Sequence, residues 1–264
     1  SSIPWIFSPV LDLGLDPRFP RQFESFGEDP LLVKTFGEAM IRGYQGDSNQ
    51  VHNKTKIAAC MKHFVGYHAT ISGKDRTPSY IPDHVLSEYH IPSFKAAIDA
   101  GAKTIMINSG IINGIPVHSS YKILTDLLRN RLGFEGVILT DWEDINKLHD
   151  RDKIVSSKKE AIRLAINAGI DMSMVPYEYE EFIDKLIELV NEGKVTMDRI
   201  DEAVSKILKL KFELDLFENP STSPSDYTDF ASEEFQGMAY QSAAEAITLL
   251  KNNDNILPLE RDKK

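Results

Sequence analysis

Residues 136–144 read GVILTDWED. Val137, Ile138 and Leu139 form a short apolar run, and Thr140 leads out of it. A run this short and this rich in β-branched residues fits a strand buried on both faces. In a parallel α/β fold, the residue after a strand stands at the carboxyl edge of the sheet, where ligands bind. Asp141 holds that position, with the aromatic Trp142 next to it. A carboxylate so placed suits a nucleophile beside a stacking platform for a sugar ring. Asp is also a favoured helix N-cap, and for an isolated Asp the cap is the better reading. How the other strand ends are furnished decides between the two.

On either side of this stretch the chain alternates strand and helix. Strand-like runs lie at Ile3–Leu11, Ile57–Met61, Thr104–Ile107 and Ile170–Val175. Helical patterns lie between and after them. Pro30 opens a helix to about Tyr44, with Pro in the first turn. Leu86–Ala100 ends at Gly101, and Ser120–Arg131 ends near Gly133. Ser157 and Glu160 have capping-box spacing for a helix to Asn167. Glu178–Glu192 carries Phe182, Ile183, Leu186, Ile187 and Val190 at helical spacing, and Asp198–Leu216 follows. Val65–Pro82 is too long for a mere connection and is a candidate active-site loop.

This alternation calls for a parallel sheet. Polar or charged residues follow nearly every strand: Asp12, then Lys62 and His63, then Asn108 and Ser109, then Asp141. The fifth strand brings Met174. Contributions from successive strand ends are what a (β/α)8 barrel offers at its top face. That convergence moves Asp141 from cap to catalyst. Lys62 and His63 could donate to substrate hydroxyls beside it, and Arg21 with Glu24 could be an ordinary loop ion pair.

Composition sets the limits. The 264 residues are 42% apolar and 27% charged, ordinary for a globular chain. A formal net charge of −10 argues against a phosphate-binding surface, and so against nucleic acid as partner. No apolar stretch reaches the ~18 residues of a membrane span. The single cysteine, Cys60, excludes an internal disulfide and a multi-cysteine metal cluster, and reads as a buried small hydrophobe. Asp150 and Asp152 lack the glycine a calcium loop needs. There is no GxGxxG, P-loop, HExxH or GxSxG, so no metal or cofactor is expected. Asn53-Lys54-Thr55 is a glycosylation sequon, usable in a secretory pathway. The ends look cut, as in a piece of a longer protein.

FSPVLDLGLDPRFPRQFESFGEDP, AACMKHFVGY, NSGIINGIPVH, GVILTDWED and AGIDMSMVP resemble, in order and spacing, the family 3 glycoside hydrolases of the β-glucosidase type. The resemblance covers nearly the whole chain. It implies a retaining exo-acting β-glycosidase, built as a (β/α)8 barrel followed by an α/β sandwich domain. Asp141 falls on the family nucleophile. Arg21, Lys62 and His63 fall on residues that hold sugar hydroxyls, and Trp142 and Met174 on residues that line the pocket.

The implied organisation is a partial barrel over residues 1–218, a linker and helix over 219–246, and the start of the sandwich over 247–264. The first two barrel strands would precede Ser1, and the acid/base glutamate would come from the sandwich domain. A secreted, periplasmic or lysosomal site goes with the resemblance. Ser109 stands where some plant members carry tyrosine, a difference of subtype. VGYHATISGKDRTP lacks the Asp-Ser-His of the related N-acetylglucosaminidases, which disfavours that subtype. A β-xylosidase or other exo-glycosidase remains the alternative within the class, and a catalytically incomplete sugar-binding fragment the alternative outside it.

Overall fold

The computed structural model describes residues 3–47 and 50–260. The chain divides after Ser221 into two compact units. The larger contains every strand among the described residues: β1 (Trp5–Ile6), β2 (Ala58–Phe64), β3 (Thr104–Ile107), β4 (Ile111–Ile112), β5 (Ile115–Pro116) and β6 (Val137–Leu139). The main sheet runs β1-β2-β3-β6, all parallel. Its register pairs Thr104 with Val137 and Met106 with Leu139. The strand at residues 136–139 is therefore where its apolar run places it, and Asp141 stands at the carboxyl edge.

Side-chain alternation explains why β2, β3 and β6 are apolar throughout. Ala59, Met61, Ile105, Ile107 and Ile138 face a core built with Val33 and Ile41 of the helix Pro30–Gln45 and Phe94 and Ala97 of the helix Ile91–Asp99. The residues between them, Cys60, Met106 and Leu139, form a smaller cluster on the other face with Trp5 and Met174. Strands buried on both faces need both sets to be apolar. Cys60 lies wholly within that second cluster, where burial pushes its thiol up to about 12.

Among the described residues the four parallel strands stand in a row and form no closed barrel. Two strand expectations need correction. Ile3–Leu11 contributes only Trp5–Ile6 and a single bridge from Val10 to Lys62, since two prolines interrupt its ladder. Ile170–Val175 is not a strand. It meets the sheet in one bridge, Leu139 to Met172. The reason is Asp171, whose carboxylate takes the Ile138 N–H at 2.9 Å, where a strand would offer a carbonyl.

The helices differ in detail too. Ser157 accepts the Glu160 N–H at 3.3 Å, but the Glu160 carboxylate pairs with Arg163 instead of completing a capping box. The helix expected at Leu86–Ala100 passes through a π-helical stretch, Leu86–His90, before Ile91–Asp99. Pro92 has no N–H for the Glu88 carbonyl, which breaks the α ladder there. In the helix Tyr179–Asn191 the buried stripe runs through Phe182, Leu186, Leu189 and Val190, while Ile183 and Ile187 stay about half exposed. The hairpin β4–β5 was not anticipated, although Asn113-Gly114 marks it: both residues take positive φ, 50° and 86°.

The second unit, over its described residues 222–260, holds one long helix, Glu233–Ala246, capped by Ser232. Among the described residues no helix is long and apolar enough to cross a membrane.

Gly136 admits no side chain. A Cβ there would sit 2.1 Å from the Lys103 carbonyl oxygen, a backbone atom at the start of β3. Gly136→Ala is expected to destabilise by about 1–3 kcal/mol through forced displacement of β6. The readout is the midpoint of thermal inactivation of the full-length polypeptide. A midpoint equal to that of the parent would show that the strand shifts freely.

Candidate active site

Asp141 follows β6 by two residues and is almost buried, 7% exposed. The Trp142 backbone N–H donates to its Oδ1 at 2.6 Å. The Arg76 guanidinium donates to its Oδ2 at 3.3 Å. Burial opposes ionisation, but the Trp142 amide outweighs it, together with the nearby Arg76 guanidinium and, when protonated, the His63 and His118 imidazoles. The carboxyl is held below its ordinary value. Asp141 is thus an ionised carboxylate with both oxygens oriented, and it caps no helix. The helix that follows, Asp144–Asp150, is preceded by Glu143 in a left-handed conformation.

A second constellation lies at the ends of β2 and of the segment after β1. His63 Nδ1 is 2.9 Å from Asp12 Oδ2, and the His63 backbone N–H donates to the same oxygen at 3.0 Å. Arg21 NH2 lies 3.3 Å from His63 Nε2. A guanidinium only donates and a carboxylate only accepts, so His63 carries its proton on Nδ1 and accepts at Nε2. Arg21 grips Glu24 with two hydrogen bonds, 2.7 and 2.8 Å, and donates to the Tyr67 hydroxyl at 2.9 Å. Tyr67 in turn donates to Asp75. The pair Arg21–Glu24 is therefore no loose surface bridge but half-buried and part of a chain of polar contacts.

The register of β2 slips between Met61 and Phe64. A slip of this kind re-aims side chains, so Lys62 and His63 leave the strict alternation of the strand. Lys62 is half-buried, and its charge acts on Glu24. Trp142 is 43% exposed and meets the Tyr177 ring edge-on at 6.0 Å. Met174 is half-buried on Leu139 and Met106. Its N–H goes to Thr140 Oγ1 at 2.8 Å and its carbonyl accepts from Glu143 at 2.9 Å.

Two strand-end residues serve structure instead. Asn108 ties the Val65 carbonyl and the Gly110 N–H. Ser109 donates to Asp144 at 2.8 Å in a buried cluster with Lys147 and, at 3.5 Å, His118.

Sequence reasoning missed Arg76 and Tyr67. Both lie on the loop after β2, whose unusual length was the available signal. It also missed Asp144 and Asp171, two buried carboxylates with cationic partners. Asp171 is held by Arg129 and by Arg199 at 2.8 Å. Among the described residues no group of His, Cys, Asp and Glu is arranged to hold a metal.

The N-terminal domain of glycosyl hydrolase family 3 matches residues 1–210. The chain belongs to this family. A lysosomal beta glucosidase of Dictyostelium discoideum is 46% identical to the family 3 chain across 97% of it. A beta-xylosidase of Formosa agariphila is 34% identical across the same share. The crystal structure of a beta-glucosidase from Listeria innocua superposes with a TM-score of 0.89 at 36% identity, covering 97% of this chain and 35% of that one. The same Listeria enzyme has been solved with isofagomine and with glucose. The chain spans about a third of the length of the curated relatives it matches, 32% and 36%.

Asp12 is sealed from water, and its ionised form leans on named donors. Burial opposes ionisation, yet the neighbouring His68 and the two His63 hydrogen bonds bring its pKa below the ordinary range. Burial also drives His68 toward its neutral form, so at neutral pH the His63 donors carry the effect. A depressed folded-state pKa adds stability that is complete above the unfolded value, about 3.9, and is lost as pH falls through the folded one. Asp12→Asn is therefore expected to lower stability strongly at pH 7 and less at pH 3, compared by urea midpoints. Equal losses at both pH values would show that Asp12 is already protonated in the fold.

Proposed function

We propose that this chain carries the nucleophile and most of the sugar-binding subsite of a retaining, exo-acting β-glucosidase. The observation that carries the reading is Asp141: an ionised, nearly buried carboxylate at a strand's carboxyl edge, oriented at both oxygens. A retaining enzyme needs such a carboxylate to attack the anomeric carbon. A second carboxyl roughly 5 Å away protonates the leaving oxygen. In this reading Arg21, Lys62 and His63 hold sugar hydroxyls, and Trp142 and Met174 line the pocket.

The acid/base glutamate comes from a following α/β sandwich domain, whose first residues are 247–264, after a linker and helix at 219–246. In this reading the row of strands within residues 1–218 is part of a (β/α)8 barrel, whose first two strands lie outside this segment. The substrate is a β-glucoside or oligosaccharide entered from its non-reducing end. The xylosidase similarity supports β-xylosides as the second reading, since the two sugars differ by one hydroxymethyl group.

In the full-length enzyme, an activated 2-deoxy-2-fluoro glucoside is expected to label Asp141, located by peptide mapping. A label on Asp12, Asp144 or Asp171 would refute the assignment, and sugar binding without any label would favour the non-catalytic alternative.

The segment alone should behave differently. Among the described residues β1 pairs only with β2, and Ile3, Phe23, Leu31 and Phe36 are exposed. Unpaired edges and apolar surface are templates for association. Without an acid/base group, an alkoxide leaves unprotonated, at a loss of roughly 10²–10⁴ in rate. Residues 1–264 expressed alone are expected to self-associate on size-exclusion chromatography and to leave cellobiose intact. A soluble monomer that turns over cellobiose would place the acid/base group within this stretch.

A further inference from the structure

Arg76 has no part in the sugar contacts proposed above. It sits on the loop after β2 in a left-handed backbone conformation, φ 56°, that a non-glycine residue rarely takes. Its side chain is half-buried, its NH2 is 3.3 Å from Asp141 Oδ2, and its Nε is buried without a hydrogen-bond partner. The loop that delivers it is pinned on both sides. Tyr67 holds Asp75, Ser72 and Thr77 hydroxyls pair at 2.6 Å, and the Ile71 N–H donates to the Pro78 carbonyl at 3.1 Å.

Other charged groups around Asp141 are committed elsewhere. His63 on β2 turns its proton to Asp12 and receives Arg21. His118, after the hairpin, is buried, and burial lowers its pKa. Lys147, on the helix Asp144–Asp150, binds Asp144 and the Trp142 carbonyl. Asp144, on the same helix, accepts from Ser109 and Lys147. Arg76 is left as the guanidinium in contact with the Asp141 carboxylate.

Resting on the reading of Asp141 as nucleophile, we infer that Arg76 stabilises the Asp141 carboxylate as the leaving group of the second half-reaction, hydrolysis of the glycosyl-enzyme. In that step a water oxygen bonds to the anomeric carbon. The bond from that carbon to the Asp141 oxygen breaks, and its electron pair returns to the carboxylate. The water proton passes to the acid/base carboxylate of the proposed second domain. Negative charge thus grows beside Arg76, which favours the step. In the first half-reaction the same oxygen loses charge as it attacks, so there Arg76 holds the reaction back. A carboxylate oxygen has two lone pairs, so one can bond carbon while the other accepts from Arg76.

The two half-reactions therefore respond with opposite sign. The test uses the full-length enzyme and 2,4-dinitrophenyl β-glucoside, whose good leaving group makes the second step limiting. For Arg76→Gln, kcat is expected to fall roughly tenfold or more, as loss of a charged hydrogen bond implies. kcat/KM should hold or rise by up to about threefold, so KM falls with kcat, and the dinitrophenolate burst that a limiting second step gives should persist. Arg76→Lys, which keeps the charge, should recover part of kcat.

Equal falls in kcat and kcat/KM, in either variant, would overturn the inference, because a general structural defect has that signature. So would a fall in kcat/KM alone. If Arg76→Gln does not fold, Arg76→Lys decides by the same ratio. Mapping the 2-fluoro label in the parent enzyme separates the failures. A label away from Asp141 removes the nucleophile reading, whereas a label on Asp141 without the kinetic split removes only the role of Arg76.

Discussion

A carboxylate with 7% of its surface exposed stays ionised here because the Trp142 amide takes one oxygen and the Arg76 guanidinium the other. Removed from water and left unpaired, such a group would take up a proton. The two donors come from different places, one from the residue next in sequence and one from a loop 65 residues earlier. The site therefore exists only when β2 and β6 lie in the same sheet with their carboxyl ends together. The parallel register through β3 provides that alignment.

The far side of the site is held by charge rather than by a strand. Asp171 accepts from Arg129, Arg199 and the Ile138 amide, and these bonds lock the Ile170–Met174 segment against β6. Breaking a buried ion cluster by removing one member is strongly destabilising, on the order of 3–5 kcal/mol. The consequence reaches the pocket. Met174, fixed by Thr140 and Glu143, packs on Leu139 directly before Thr140 and Asp141.

The loop after β2 joins the two constellations. Through Tyr67 it is tied to Arg21, and Arg21 to Glu24 and His63. Through Arg76 it is tied to Asp141. Residues assigned to sugar contact and the carboxylate assigned to attack are thus parts of one polar network. A displacement of this loop would disturb both at once.

Local pattern was enough to find β2, β3, β6, the helix opening at Pro30 and the position of Asp141 at a strand end. Burial on both faces imposes apolar runs, and runs are visible in a linear chain. The ordered motifs were enough for the family, which the match over residues 1–210 bears out. Pattern failed where a side chain replaces a backbone partner. Asp171 turns an apolar run into a single bridge, Glu160 leaves its cap for Arg163, and the prolines shorten the first strand. The Asn113-Gly114 turn was legible and went unread. Only the tertiary structure decided that Arg76 meets Asp141 and that Asp12 fixes the proton of His63. Those facts depend on contacts between residues tens of positions apart, and sequence spacing carries no record of which charge a folded loop will bring to which carboxylate.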